Sequence, residues 1–397
     1  MLNTLPPYRE QEALALTSQL RSQGYDPELI REALTQSQLR ERAVKKFGSA
    51  TAASLLFTRD GLEQATRAPV AALHAERMCA AGASHVLDFG CGIGADSLAF
   101  ARAGLAVTAI EKDPEAAAAA RFNLREFPQA QVIEADGFSL DMAHLGADAI
   151  WIDPARRLGG KRLKDPESWI PSLSAAVTLA RQFLFGGIKV APGIDYAALP
   201  EHSFTQWVSD CGELVEAVMW LGAAAGKPGR EAVMLSPNAA PTTFRCSASD
   251  PRTSAEQLEP APLGTFIVEP DRAIIRAGVI PEFATQHSLA PVAQSIAYLT
   301  GSHPAPTALA QNFRVLEVLP LDAAAAGKRL RELGVASVEI KKRGVDISPE
   351  VFRKKLKLQR AADTHKQAIP ITLIATPLLG KRRLLLAQRC EQSDESA

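Results

Sequence analysis

The sequence predicts an α/β protein built on a doubly wound parallel sheet, with a helical region before it and a small basic α/β domain after it. Three observations support this prediction. Short apolar runs alternate with helical patterns between residues 86 and 190, leucines recur at helical spacing within residues 8–46, and a last α/β pattern begins near residue 313. Apolar strands separated by helices indicate a parallel sheet that is covered on both faces.

The N-terminal region, residues 1–75, is expected to be helical and to act as a packing subdomain or lid scaffold. Its helical pattern breaks at Gly24-Tyr-Asp-Pro27, where Asp26 can cap a helix and Pro27 can occupy the first helical position. The polar stretch Phe57–Arg67 follows. It is either a capping turn that satisfies its own backbone or a segment that folds back over a bound ligand.

The second region, residues 76–248, carries the alternating pattern. Strands are predicted at Val86–Phe89, Ala106–Ile110, Gln131–Ile133, Ala149–Ile152 and Gly187–Val190. Helices are predicted at 95–103, Glu115–Phe127 and about 168–183, and late strands at Leu214–Leu221, Ala232–Leu235 and Thr242–Cys246. Ligands of open parallel sheets bind at the carboxyl ends of the strands, so the loops after the early strands are the candidate site.

Residues 249–310 are interpreted as a linker or connector, and residues 311–397 as the C-terminal domain. The strands and helices of that domain are predicted at Arg314–Val318, Ala323–Leu333, Ser337–Ile340, Pro349–Lys357, Ile371–Thr376 and Leu384–Ala387. The whole chain has a formal net charge of zero, yet residues 311–390 hold 17 Lys and Arg against 7 Asp and Glu, a local balance of +10. Such a domain either meets a polyanion or has a well-solvated basic surface.

Cysteine usage and hydropathy exclude several classes of protein. The five cysteines are scattered without a Cys-x-x-Cys pair, which argues against a disulfide framework and a zinc site and fits a reducing compartment. No apolar run of about 18 residues occurs, and the first residues lack the pattern of a signal peptide. We therefore expect a cytoplasmic protein with no membrane and no metal among its partners.

A glycine-rich turn, Gly90-Cys-Gly-Ile-Gly94, follows the first predicted strand. Glycines tolerate positive φ and carry no Cβ, so a ligand can lie directly on such a backbone. Two cofactor classes use loops of this kind, the dinucleotides and S-adenosylmethionine (SAM). The spacing of Gly90, Gly92 and Gly94 departs from the Gly-x-Gly-x-x-Gly of dinucleotide sites.

Carboxylates accompany this loop at three successive strand ends. Asp88 immediately precedes it, Glu111 ends the second strand with Asp113 as a rival, and Asp136 follows the third. A carboxylate beside the loop repels a diphosphate but suits the cationic amino acid end of SAM. Glu111 is placed to accept from ribose hydroxyls and Asp136 from an adenine amino group. Because three independent turn caps would be a coincidence, the combination predicts SAM.

These motifs resemble those of the class I SAM-dependent methyltransferases, whose fold is a Rossmann-like sheet. Longer stretches resemble bacterial methyltransferases with a THUMP-like C-terminal domain, namely Leu56–Arg67, Asp153–Arg157, Lys189–Asp195 and Glu339–Asp346. By similarity to RNA cap guanine methyltransferases, Gln64 and Thr66 would touch the methionine end of SAM. Because THUMP domains accompany RNA-modifying enzymes, the resemblance also implies an RNA substrate, either tRNA or rRNA.

Asp153-Pro-Ala-Arg-Arg157 follows the fourth strand, where amino-methyltransferases place Asp/Asn-Pro-Pro and an aromatic residue. By that resemblance, Asp153 and the carbonyl of Pro154 would accept from an exocyclic amine and align its lone pair with the methyl group. Arg156 stands in the aromatic position, where it can stack on a base, hold phosphate or pair with Asp153. Basic residues extend the motif into a flexible loop that suits an RNA backbone: Arg157, Lys161 and Arg162.

The C-terminal domain adds three basic clusters, Lys341-Lys342-Arg343, Arg353–Lys357 and Lys381–Arg383, which suit phosphate contacts without base reading. The sequence thus predicts a SAM-dependent methyltransferase that acts on a base nitrogen of RNA. Two alternatives stay open at this point. One is a small-molecule or protein methyltransferase, and the other is an RNA-binding protein with a vestigial SAM site.

Overall fold

The structure, a computed structural model, describes residues 2, 5, 6, 8–158, 161–253, 258–358 and 370–390, without the side chains of Arg157, Leu158 and Arg162. Two compact units divide the chain. The first contains residues 1–205 and 216–228, and the second contains residues 206–215 and 229–397. No helix of the described ranges is long and apolar enough to cross a membrane.

Helices dominate the beginning of the first unit, as predicted. They are α1 Ala13–Ser22, α2 Pro27–Phe47, α3 Ser49–Ser54, α4 Arg59–Gln64 and α5 Ala68–Ala81. Helix α2 begins where the sequence indicates, because the Asp26 carboxylate accepts from the backbone N–H groups of Glu28 and Leu29 and Pro27 occupies the first turn. Leu39, Ala43 and Phe47 anchor α2 in the main core of this unit.

The strands of the first unit follow the order β9-β7-β4-β1-β2-β3. Their bounds are β1 His85–Phe89, β2 Ala106–Glu111, β3 Ala130–Glu134, β4 Ala149–Ile152, β7 Phe185–Val190 and β9 Glu213–Gly222. Strands β1, β2, β3, β4 and β7 pair in parallel, and β9 pairs antiparallel with β7. The connecting helices are α6 Ala95–Arg102, α7 Pro114–Asn123 and α8 Leu173–Ala180. The predicted doubly wound sheet is confirmed.

Two helices are shorter than predicted, each for a local reason. Helix α7 ends at Asn123, whose amide turns inward to bond the backbone of Leu56 and Ile93. Helix α8 begins after Pro171, which disfavours helical backbone in the residue before it, and Ser172 caps its first turn. Strand β8 Phe204–Asp210 was not predicted.

The second unit begins its regular structure with an antiparallel pair, β10 Gly229–Leu235 and β11 Thr242–Arg245. A seven-stranded sheet follows in the order β13-β14-β12-β15-β18-β17-β16. Its strands are β12 Phe266–Pro270, β13 Ala290–Pro291, β14 Leu299–Gly301, β15 Ala310–Pro320, β16 Val338–Lys342, β17 Ile371–Leu378 and β18 Lys381–Arg389. The helices are α9 Arg272–Ala277, α10 Ile280–Gln286, α11 Ala323–Glu332 and α12 Pro349–Lys355.

The strands and helices predicted from residue 314 onward all occur in this unit, and α11 and α12 cover one face of the sheet through a shared core that includes Leu330 and Phe352. Strand β12 pairs antiparallel with β15. Three strands from the stretch interpreted as a connector, residues 249–310, therefore belong to the same sheet as the C-terminal strands. The domain limits at residues 249 and 311 stay predictions.

Candidate functional site

The glycine loop leaves β1 at Phe89 and enters α6 at Ala95. Gly90, Gly92 and Gly94 have φ of 79°, 56° and 78°, a region that strains any residue with a Cβ. A Cβ at Gly90 or Gly92 would meet no atom within 4 Å, whereas one at Gly94 would touch Ala120 at 3.4 Å. The first two glycines therefore leave open space above the backbone for a ligand, and the third allows close packing of α6 on α7.

Glu111 stands at the end of β2 and binds the loop directly. Its Oε2 accepts from the N–H of Gly92 at 2.8 Å, and its Oε1 accepts from the N–H of Asp113 at 2.9 Å. Asp136 follows β3, is exposed, and accepts from the N–H of Phe138 at 3.0 Å. Because β1, β2 and β3 are parallel neighbours, both acidic residues lie along the edge that carries the glycine loop.

Asp88 is buried one residue before the end of β1 and accepts from the Ser97 hydroxyl at 2.5 Å. Burial, together with the neighbouring Asp96, raises the pKa of Asp88 to about 8. The environment of Asp88 therefore favours its protonated form, whereas the sequence pattern predicts an anion beside the loop. Its bond to Ser97 fixes the start of α6 against β1.

The stretch predicted to fold back over the ligand packs against the glycine loop. Thr58 caps α4 by accepting from the N–H of Gly61 at 3.0 Å. A Cβ on Gly61 would lie 2.4 Å from Ile93 of the loop, so only glycine allows this approach. Gln64 is exposed at the end of α4, and Thr66 is buried. The turn thus caps itself and also packs against the loop, while its closure over a bound ligand stays a prediction.

Six side chains near these elements are joined in series by hydrogen bonds, and we call them the buried network: Asp153, Lys189, Thr66, Asp96, His74 and Glu216. Lys189 donates to Asp153 Oδ2 at 2.6 Å and to the Thr66 hydroxyl at 2.9 Å. Thr66 in turn donates to Asp96 Oδ2 at 2.6 Å.

The far end of the buried network is His74 on α5. Its Nδ1 lies 2.8 Å from Asp96 Oδ1 and its Nε2 lies 2.6 Å from Glu216 Oε1. Burial opposes a charge on this ring, but Glu216 and Asp96 outweigh burial and raise the pKa of His74 to about 9. The imidazole is therefore a cation at neutral pH and donates from both nitrogens.

Lys189 and Asp96 shift in opposite directions for the same electrostatic reason. Burial disfavours the ammonium, yet Asp153, Glu216 and Asp96 raise the pKa of Lys189 above its ordinary value. Despite burial, His74 and Lys189 hold the pKa of Asp96 below its ordinary value. The network thus holds alternating anions and cations, which is the condition under which buried charges are tolerated.

Asp153 is the point at which the buried network reaches the surface. It follows Ile152, which pairs with Phe89 across the parallel strands, so Asp153 lies about one strand spacing, ~5 Å, from the beginning of the glycine loop. Lys189 holds one carboxylate oxygen, and the side chain remains 28% exposed. Lys189, and not Arg156, is the ion-pair partner of Asp153 among the described residues.

The remaining residues of this motif lie close by in the chain. Pro154 is buried and Arg156 is half-buried. Within the stretch expected to be a flexible loop, β5 Arg157–Leu158 pairs antiparallel with β6 Lys161–Arg162, and residues 159 and 160 lie outside the described residues. Lys161 is exposed, whereas the side chains of Arg157 and Arg162 lie outside the described part of the structure.

In the second unit, the candidate RNA-binding residues separate into two kinds. Lys341 donates to Glu269 at 2.6 Å and Arg343 donates to the same carboxylate at 3.2 Å. We call these three residues the Glu269 cluster. Lys341 also lies over the ring of Phe313 and Arg343 over that of Tyr298. Lys342 is exposed between them and is the residue of this run that is presented to solvent.

Sequence reasoning missed four members of the buried network: Lys189, Asp96, His74 and Glu216. Their partners are 22 to 142 positions away along the chain, so no local spacing connects them. Two signals were nevertheless present. Lys189 interrupts the otherwise apolar strand β7, and His74 lies in an α-helix whose neighbours are mostly apolar. Charged groups in such positions need partners.

Comparisons with known proteins agree with this geometry. Residues 86–157 match a methyltransferase domain family, residues 310–389 match a THUMP domain-like family, and residues 1–43 match a domain of unknown function. Uncharacterized S-adenosylmethionine-dependent methyltransferases from two strains of Mycobacterium tuberculosis are each 33% identical over 338 residues, which is 81% of this chain and 87% of theirs.

The fold as a whole also occurs in a solved structure. A putative methyltransferase from Porphyromonas gingivalis W83 is 21% identical and superposes with a TM-score of 0.71, covering 97% of this chain and 100% of that one. The open space over the glycine loop and the Glu111 carboxylate beside it fit S-adenosylmethionine as the cofactor. The chain therefore belongs to the class I S-adenosylmethionine-dependent methyltransferases and carries a THUMP-like C-terminal domain.

Proposed function

We propose that this methyltransferase acts on RNA and that it methylates a base nitrogen oriented by Asp153. The observation that carries the proposal is the position of this carboxylate, which lies beside the glycine loop, is held through one oxygen by Lys189, and stays partly exposed. A carboxylate so fixed can accept from the N–H of an incoming amine through its other oxygen.

S-adenosylmethionine supplies a methyl group that is activated by its sulfonium. The task of the protein is then to hold the acceptor nitrogen in line with that group, and alignment alone contributes several orders of magnitude in rate. Asp153 and the Pro154 carbonyl would hold the N–H groups, while Gln64, Thr66, Asp88 and Glu111 would serve the cofactor and Asp136 its adenine. Lys189 prevents the Asp153 carboxylate from rotating away.

An RNA substrate is supported by charge and by domain composition. Residues 311–390 carry a balance of +10, and the family matched by residues 310–389 is THUMP domain-like. Exposed cations are available on β16 at Lys342 and on α12 at Lys354 and Lys355. In the first unit, Lys161 and the backbone of the β5–β6 hairpin stand next to Asp153 in the chain. Such a distribution suits backbone contacts that do not read sequence.

The experiment is a transfer assay with radiolabelled S-adenosylmethionine and three separated cellular fractions: RNA, protein and small metabolites. The proposal expects label in the RNA fraction that nuclease digestion releases as a nucleotide methylated on a base nitrogen. Label confined to the protein or metabolite fraction would reject the RNA substrate while leaving the methyltransferase activity intact. Label in RNA on a ribose oxygen would reject the nitrogen acceptor.

A further inference from the structure

Helix α2 sends polar side chains to the backbone of the segment that precedes the glycine loop. The Gln36 amide makes two bonds to one residue, accepting from the N–H of Phe57 at 3.0 Å and donating to its carbonyl at 2.7 Å. One helical turn later, Arg40 donates to the carbonyl of Leu55 at 2.9 Å. These are bonds of the kind that a neighbouring strand would make, and they fix the chain where it enters α4.

Lys46, at the other end of α2, fixes the chain where it leaves α4. Its ammonium donates to the carbonyls of Leu62, Glu63 and Ala65 at 2.8, 2.7 and 2.8 Å. All three donors of the ammonium are therefore used on backbone groups. Burial, aided by Lys189 and Arg67, lowers the pKa of Lys46 to about 8, and the side chain is half-buried.

The α4 segment needs such support because it cannot hold its own shape. A helix of six residues is far below the length at which isolated helices persist in water, and its last carbonyls have no partner within the helix. On its other side the segment touches the glycine loop, through Gly61 against Ile93. Asn123 completes this contact by bonding the backbone of both Leu56 and Ile93.

Helix α2 is itself a rigid base, since Leu39, Ala43 and Phe47 are buried in the main core of the first unit. Phe47 also packs its ring against that of Phe57, with centroids 5.6 Å apart. The polar contacts to α4 therefore come from a helix that is anchored in the core.

We infer that α2 is a template that sets the backbone of residues 55–66, and that Gln36 and Lys46 are positioning residues for the methyl donor. This gives a role to the N-terminal region, of which residues 1–43 match a domain of unknown function. The inference rests on the proposed placement of Gln64 and Thr66 at the cofactor. The template acts only through the backbone it holds, because Gln36 and Lys46 bond main-chain atoms of the segment.

The test compares Lys46→Met with the matched control Lys45→Met, which removes an exposed lysine from the neighbouring position of the same helix. Affinity for S-adenosylmethionine is measured by calorimetry, and amide hydrogen exchange is followed for residues 58–66. We expect Lys46→Met to bind the cofactor about tenfold more weakly and to exchange faster in that segment. Lys46→Arg, which keeps donors near the carbonyls, should recover part of the affinity.

Equal affinity and equal exchange in the two methionine variants would overturn the inference. If Lys46→Met fails to fold, Gln36→Leu gives the same test from the other end of the segment, because it removes both bonds to Phe57. If neither Gln64→Ala nor Thr66→Val changes the affinity for S-adenosylmethionine, the proposed placement of these two residues at the cofactor is wrong instead. The two failures are therefore separated by different variants.

Discussion

The buried network of the first unit and the Glu269 cluster of the second each contain a lysine paired with a carboxylate at the same distance. Lys189 lies 2.6 Å from Asp153, and Lys341 lies 2.6 Å from Glu269. The network, however, continues inward to a fully buried histidine, whereas each member of the Glu269 cluster keeps 18% to 30% of its side-chain surface exposed. Buried charges require complete pairing, while charges near water lose little when a partner is removed.

This difference separates two kinds of function. A buried network can hold one carboxylate in a fixed orientation, which suits the alignment of a reacting nitrogen. Surface cations act through summed, salt-screened attraction and tolerate change at single positions, which suits a grip on a phosphate backbone. The predictions below test this contrast, beginning with the largest expected effect.

Removal of the buried imidazole of His74 should strongly reduce the stability of the folded protein. In His74→Leu, Asp96 and Glu216 lose the cation between them, and we expect a loss of about 3–5 kcal/mol in the free energy of unfolding by urea. The matched control is His144→Leu, because His144 lies at the same 2.8 Å from Asp141 but is 83% exposed. Equal urea midpoints for the two variants would contradict the account.

Stability should fall as pH rises through the range where the buried groups titrate. The folded pKa of His74, about 9, and that of Asp88, about 8, both exceed the values for an unfolded chain, 6.5 and 3.8. A group whose pKa is raised by folding contributes its full stabilisation at pH values below its unfolded pKa. That contribution is lost as the pH rises through its folded pKa. Between pH 6.5 and 9 we therefore expect a decline on the order of 3 kcal/mol from His74 alone. Urea titrations at several pH values measure it.

The same urea titrations, repeated on His74→Leu, test whether the decline in stability comes from His74. That variant should show a flatter dependence on pH over this range, because the contribution of His74 is lost. A decline as steep as that of the wild type would assign the effect to other groups.

Loss of the lysine that holds Asp153 should reduce the rate more than the binding of cofactor. In Lys189→Met, Asp153 loses its partner at 2.6 Å and the Thr66 hydroxyl loses a donor. We expect kcat to fall on the order of 100-fold, the effect of misplacing a reacting group by about 1 Å. Single-turnover transfer and calorimetry with S-adenosylmethionine are measured together. A weaker affinity for S-adenosylmethionine with an unchanged single-turnover rate would show that Lys189 serves cofactor binding alone.

The smallest effect is expected on the basic surface of the second unit. Lys342→Gln should weaken RNA binding a few-fold and reduce the slope of log K against log salt concentration by about 1, since Lys342 is exposed. Lys341→Gln should change that slope less, because Lys341 is already paired with Glu269. Identical slopes for both variants and the wild type would show that β16 is not part of an RNA-binding surface.

Local patterns sufficed for the sheet, for the glycine loop and for nearly all of the C-terminal strands, because each depends on neighbouring residues. Strand β8 escaped prediction since Thr205, Gln206 and Ser209 interrupt its apolar run, although all three are buried. The partner of Asp153 escaped as well, because Lys189 is 36 residues away and Arg156 is only three. Pairings such as Lys341 with Glu269, 72 positions apart, exist only after folding.

The central claim is that Asp153, held by the buried network, orients the acceptor nitrogen. Its most direct test is the variant Asp153→Ala, assayed for single-turnover methyl transfer to RNA alongside calorimetry with S-adenosylmethionine. We predict a fall in rate of about 100-fold or more with unchanged cofactor affinity, because the variant lacks the group that would align the acceptor nitrogen. Transfer at the wild-type rate by a variant that binds the cofactor normally would contradict the claim.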